Sequence, residues 1–139
     1  MVPFIITLCL FILTGCSDNS PTRTPSPRGA KVFIIEPKDN SDVTSPIKVK
    51  FGIEGMELSP AGVEKENTGH HHLLIDTQLE DKSSSIPANE NILHFGKGQT
   101  ETQIELKPGK HSLQLILGDH NHIPHEPIVQ SNMITINVK

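Results

Sequence analysis

Apolar and polar residues alternate with a period of two along several short stretches of this chain, and no stretch sustains a helical period. Ile47-Lys48-Val49-Lys50-Phe51-Gly52-Ile53 is the plainest case. Successive side chains of a strand point to opposite faces, so this run turns its apolar members to a core and its lysines to water. Val32-Phe33-Ile34-Ile35 is a β-branched and aromatic run, closed by Pro37 and the turn cluster Lys38-Asp39-Asn40-Ser41. Leu73-Leu74-Ile75 and Ile92-Leu93-His94-Phe95 are short strand candidates. Thr102–Leu106 alternates, Lys107-Pro108-Gly109-Lys110 turns the chain, and Ser112–Leu117 and Met133–Val138 complete the set. About seven strands separated by turn signals predict an all-β fold: a single antiparallel β-sandwich, immunoglobulin-like in broad architecture, over residues 31–139. A small barrel is the alternative. Residues 55–69 and 77–91 lack periodicity and read as long loops, a length at which loops often carry function.

The pattern upstream of residue 31 is different. Residues 4–13 form an apolar run of ten, short of the roughly 20 that span a bilayer and suited to the core of a signal peptide. Leu13-Thr14-Gly15-Cys16 follows and resembles the bacterial lipobox, in which the cysteine is acylated and becomes the new N-terminus. One feature dissents, since no Lys or Arg precedes the apolar run. The expected organisation is a signal peptide at residues 1–15, lipidated Cys16 with a flexible tether through residue 30, then the β domain. The tether reading rests on three prolines and almost nothing apolar in residues 17–30, a composition that cannot bury a core. Each buried methylene of an acyl chain adds about 0.8 kcal/mol, so a multiply acylated Cys16 holds the domain at the membrane. The implied address is the cell envelope, facing the periplasm, with Ser17 favouring the outer membrane.

Composition narrows the chemistry. The chain has 12 Lys+Arg against 16 Asp+Glu, a net charge of −4, without Trp or Tyr and with five Phe. There is no basic footprint for nucleic acid, and stacking platforms for bases or sugars are poorly supplied. Cys9 would leave with the leader and Cys16 would carry lipid, so no thiol remains for a disulfide, a nucleophile or a metal ligand. A metal site would have to use His, carboxylate, amide or Met.

All eight histidines fall between residues 70 and 125. If Leu73 and Ile75 face the core, His71 shares their face while His70 and His72 point the other way. If the strand over Ser112–Leu117 continues, His120 and His122 lie on the face opposite Leu113, Leu115 and Leu117. Two His-x-His pairs on neighbouring strands would place several imidazoles around one ion. Neutral imidazole suits Cu(II) and Zn(II). The candidate ligands are therefore His70, His72, His94, His120, His122 and His125. Asp76, Asp119, Asn121 and Glu101 are candidate outer partners, able to fix a ring tautomer by accepting its other N–H. His71, on the apolar face, reads as a hydrogen-bonded core residue, and His111 stands singly. The bland alternative is a solvated His run beside a stretch, Gly118–Pro124, whose Gly, Asp, Asn and Pro serve turn geometry alone.

Three motifs carry a resemblance: Asn67-Thr68-Gly69-His70-His71-His72-Leu73-Leu74-Ile75-Asp76, then His94-Phe95-Gly96-Lys97-Gly98-Gln99-Thr100-Glu101-Thr102, then Gly118-Asp119-His120-Asn121-His122-Ile123-Pro124-His125. They resemble an uncharacterised bacterial family of exported domains of unknown function, over about residues 30–139. Lys97 departs from the glycine common at its position. The resemblance implies an exported domain with three His-bearing motifs and implies no activity.

Three functions follow as expectations. The leading one is an envelope lipoprotein whose His-based site binds Cu(II) or Zn(II), for metal handling or buffering. The second is a metal-dependent hydrolase or oxidase with Glu101 or Asp119 as base, although no motif names a reaction or a catalytic residue. The third is a structural or adaptor sandwich of the envelope without metal, with an unknown protein partner. The discriminating requirement is geometric: a metal site needs imidazole nitrogens converging within about 4–5 Å, whereas an adaptor leaves them dispersed.

Overall fold

The computed structural model describes residues 23–139. The expected signal peptide and Cys16 lie outside the described residues. The described residues form nine strands: β1 (Lys31–Glu36), β2 (Ser41–Val43), β3 (Ile47–Glu54), β4 (Glu57–Leu58), β5 (Thr68–Ile75), β6 (Ile92–His94), β7 (Glu101–Ile104), β8 (Gly109–Gly118) and β9 (Ile134–Val138). No helix occurs among the described residues. A three-stranded antiparallel sheet, β1-β3-β7, packs on a six-stranded sheet ordered β2-β9-β8-β5-β4, with β6 also paired to β5. The fold is an all-β sandwich, as the alternation predicts.

The core between the sheets is filled by the inward sets of the alternating strands. Val32, Val49, Phe51 and Ile104 of the smaller sheet meet Leu73, Ile75, Leu113, Leu115, Leu117 and Ile136 of the larger. On β3, Ile47, Val49 and Phe51 are buried while Lys48 is exposed and Lys50 half-buried, so the period-two pattern holds through Phe51 and relaxes at Ile53. At roughly 25 cal/mol per Å² of apolar surface buried, this layer is the main favourable term in a domain with no disulfide among its described residues.

Strand β5 is exceptional, because all eight of its residues are buried. One face meets the core. The other is covered by segments that cross the outside of the larger sheet. Leu74 packs there with Ile86, Ile92 and Ile116, Ile86 coming from the long 77–91 loop. A strand covered on both faces cannot alternate in polarity, and His70, His71 and His72 are all fully buried.

Two findings go beyond the expected elements. Strands β2 and β4 are short and polar, and each is an edge piece paired in parallel, β2 with β9 and β4 with β5. The second half of the expected tether is docked rather than free. Pro25 bridges Glu126, Ser26 donates its amide to the Glu126 carbonyl at 3.1 Å, and Glu126 donates to the Thr24 carbonyl at 3.0 Å.

Candidate metal centre

Register on β5 builds the first half of the site. His70 and His72 stand two residues apart on its outer face, with ring centroids 4.9 Å apart. His71 points the other way and tilts against the Phe51 ring at 5.3 Å inside the core. Antiparallel pairing sets His94 of β6 directly opposite His72. Residues paired this way share a face, and the His94 ring accordingly lies 5.1 Å from that of His72 and 4.9 Å from that of His70.

The fourth ring arrives from the other side. Across from His70 in the β5–β8 ladder stands Gly118, the residue at which β8 ends. A Cβ at Gly118 would fall 2.8 Å from His72 Cε1, and one at Gly96 would fall 2.3 Å from His94 Cε1. Both glycines leave space that imidazoles fill. After Gly118 the chain folds back through a tight turn. Asp119 Oδ1 accepts the amides of Asn121 and Ile123 at 2.8 and 2.9 Å, and His122 donates its amide to the Asp119 carbonyl at 2.9 Å. His122 takes a left-handed φ of 66°, a conformation uncommon outside glycine that His, like Asn and Asp, adopts more readily than other residues. Its ring drops to 5.0 Å from His70 and 4.8 Å from His94.

One ligand nitrogen each from His70, His94 and His122 lies within 4.8 Å of the others. His72 forms the inner wall, 6.0 Å from the His122 ring. The outer side is open, with His94 exposed and His122 half-buried.

The electrostatics fit a set of neutral donors. Burial, then the neighbouring rings of His94 and His122, push the His70 imidazole down to about 4. Burial likewise takes His72 down to about 3, with His70, His94 and His122 adding to the effect. His94 is also lowered, by burial and then by His122. These rings are unprotonated near neutral pH and keep lone pairs available. Neither ring nitrogen of His70 or of His72 has a hydrogen-bond partner among the described residues. A buried polar group without a partner costs about 1–3 kcal/mol. Two such imidazoles beside two more describe a set of donors facing one another rather than a satisfied core. Imidazole nitrogens without a thiolate suit a borderline divalent ion.

The remaining candidates lie elsewhere. Alternation continued past Gly118 would set His120 and His122 on one face. The turn at Asp119 separates them, and His120 Nε2 instead accepts from the Asn121 side-chain amide at 2.9 Å. His125 is buried with Nε2 donating to the Thr68 carbonyl at 3.1 Å. Asp76 is taken up at the far end of β5, where its carboxylate meets His111 Nδ1 at 2.6 Å and the Ser112 amide at 2.8 Å. Glu101 pairs with Lys48 on the smaller sheet at 3.3 Å. Asp119 is an organiser of the turn rather than an acceptor from a ligand ring. Against the desolvation that would raise it, hydrogen bonds from Thr24, Ile123 and Asn121 hold its carboxyl below the ordinary range. His71, expected to be hydrogen-bonded, has no partner for either ring nitrogen among the described residues, and burial takes it down to about 4. Sequence reasoning missed Gly96 and Gly118 as the makers of the gap. The Gly-Asp-x-Asn order after β8 carried the signal for the second, since it marks a turn.

No curated protein matches the chain. A solved structure, the X-ray structure of the endo-β-1,4-mannanase from Thermotoga petrophila, is similar over 81% of this chain and 20% of its own, with a TM-score of 0.49 and 14% identity. The chain thus spans about a fifth of that enzyme's length, and the likeness carries no inference about activity. Residues 49–139, which hold all four clustered rings, match the domain of unknown function DUF4399, and the chain belongs to that family.

Proposed function

We propose that this chain is an exported lipoprotein of the bacterial envelope, anchored through Cys16 and facing the periplasm, whose sandwich binds one Cu(II) or Zn(II) ion for handling or buffering. His70, His94 and His122 supply the ligands, and His72 stands as a fourth imidazole behind them. The observation that carries the reading is the convergence of three nitrogens from three separate segments to within 4.8 Å, in a pocket whose buried rings have no other partner. An adaptor role without metal predicts dispersed rings, and these are clustered.

The enzyme reading keeps one observation in its favour. The ion would face solvent on the His94 side, and catalytic metals retain an open position. A base is what that reading lacks. Glu101 is engaged by Lys48 and Asp119 by its own turn.

Calorimetric titration of the purified protein with Cu(II) or Zn(II) tests the site. Binding of one equivalent with a Kd tighter than about 10 μM, some −7 kcal/mol, is expected. Weaker binding by both ions would sink the metal reading. Anchoring is tested separately by Cys16→Ser, which is expected to move the protein from the membrane to the soluble fraction.

A further inference from the structure

Two of the three clustered ligands stand on paired strands: His70 inside β5 and His94 at the end of β6. His122 alone stands on an irregular turn, in a left-handed conformation uncommon outside glycine. Part of what holds that turn lies almost a hundred residues upstream. Thr24 donates its hydroxyl to Asp119 Oδ2 at 2.6 Å, while Oδ1 of the same carboxylate holds the Asn121 and Ile123 amides. Arg23 crosses the return leg of the turn, donating Nε–H to the Pro124 carbonyl at 3.0 Å and reaching the His125 carbonyl and the Glu126 carboxylate. Ser26 closes the far end, its hydroxyl donating to the Pro127 carbonyl at 2.6 Å.

We infer that residues 23–26 are a strap that positions His122, with Thr24 acting through Asp119 as the key positioning residue of the metal centre. The inference rests on the metal reading for its consequence, but the strap itself is a property of the protein without metal. Two contacts hold the turn from the opposite side, Ile86 donating to the His122 carbonyl at 2.8 Å and Gly62 to the His120 carbonyl at 3.0 Å. Removing Thr24's bond should therefore loosen the turn without unfolding it. The consequence is that the segment joining the domain to its anchor also forms part of the site: detaching it loosens one ligand and leaves the other two in place.

The test compares Thr24→Val, which keeps the shape and loses the hydroxyl, with Thr24→Ser, which restores it. In the metal-free protein, amide exchange at Asn121, His122 and Ile123 should quicken about tenfold in Thr24→Val and return to wild-type rates in Thr24→Ser, with β5 unchanged. Zn(II) or Cu(II) affinity should fall by about tenfold in the first variant alone, within the range usual for a partner that orients a ligand. The Cu(II) electron paramagnetic resonance spectrum should change with it, a readout that a general loss of stability would leave alone. Wild-type exchange rates in Thr24→Val would overturn the strap. Faster exchange with wild-type metal affinity would overturn its role at the metal centre. Failure of the wild-type protein to bind either ion would overturn the metal reading and that role together, and the exchange rates alone would then decide the strap.

Discussion

The ladder between β5 and β8 runs from His70–Gly118 to Ile75–Leu113, with histidines at the first end and His111 just beyond the second, and the two ends are opposites. At one, His70 and His72 lie fully buried beside Gly118, with neither nitrogen of either ring partnered. At the other, just past Ile75, His111 is tied on both sides, Nδ1 to the Asp76 carboxylate at 2.6 Å and Nε2 to the Lys107 carbonyl at 2.8 Å. Asp76 accepts from the Ser112 amide as well. The same residue type is pushed in opposite directions. Burial lowers the first pair, whereas the Asp76 hydrogen bond raises His111. A histidine whose two nitrogens are both spoken for is a structural clamp. Unpartnered nitrogens are what the proposed metal site requires, and convergence separates the cluster from His71, equally unpartnered but alone in the core. Position in the sandwich explains the difference. The His111 end is open to water and a carboxylate reaches it, while His70 and His72 lie beneath Ile86 of the 77–91 loop and the turn after Gly118, with the His94 side left open.

The largest effect that separates the two ends is on metal binding. His70→Ala should weaken Zn(II) or Cu(II) binding by well over the roughly 10–100-fold that an outer partner is worth, and His111→Ala should leave it unchanged. Read by thermal unfolding at a metal concentration about 100 times the wild-type Kd, the ion should stabilise wild type and His111→Ala by about 2.7 kcal/mol, several degrees in Tm. His70→Ala should show almost no shift. A metal-induced shift lost in His111→Ala and kept in His70→Ala would reverse the assignment of the two ends.

This contrast is only partly written in the sequence. The seven periodic or β-branched runs became β1, β3 and β5 to β9 because alternation is a local property that burial of one face enforces. Strands β2 and β4 were illegible: Ser-Asp-Val and Glu-Leu have no pattern of their own and exist because β9 and β5 present edges to them. Period two sorted His71 from His70 and His72 correctly, since those residues lie within a regular strand. It failed at His120 and His122, where continuing the alternation past Gly118 ignored the turn chemistry of Asp119 and Asn121. The strap was out of reach altogether. Arg23-Thr24-Pro25-Ser26 has a tether's composition, and its docking depends on carbonyls and a carboxylate about a hundred residues away.

Acid should act on the cluster next. His70 and His72 titrate near 4 and 3 when folded and near 6.5 when unfolded. Between those values the unfolded chain binds more protons, so stability falls as pH falls. The metal-free protein should hold full stability from this source above about pH 6.5 and lose it progressively toward pH 4. Metal affinity should persist to lower pH and fall as pH approaches the folded value of about 4 for His70, because protons and the ion compete for the same lone pairs. Urea melts from pH 7 down to pH 4 would check this. A flat profile in the metal-free protein would mean that the rings are hydrated or partnered in solution, and the first half of the comparison would fail.

The smallest effect belongs to His111 and has the opposite sign. Its folded value lies above 6.5, so the folded state binds the extra proton. The stability it contributes is complete below about pH 6.5 and is lost as pH rises through the folded value. The pair is partly exposed, with side-chain accessibilities of 16% and 40%, so water and salt screen it and the change should be slight. His111→Asn removes the charge that Asp76 stabilises. Melts from pH 6 to 9 should show a shallow decline in wild type and none in the variant, while the acid limb set by the cluster stays as it was. An acid limb that disappeared with His111 would place the titration at the clamped end of the ladder and leave the unpartnered rings without a measurable signature.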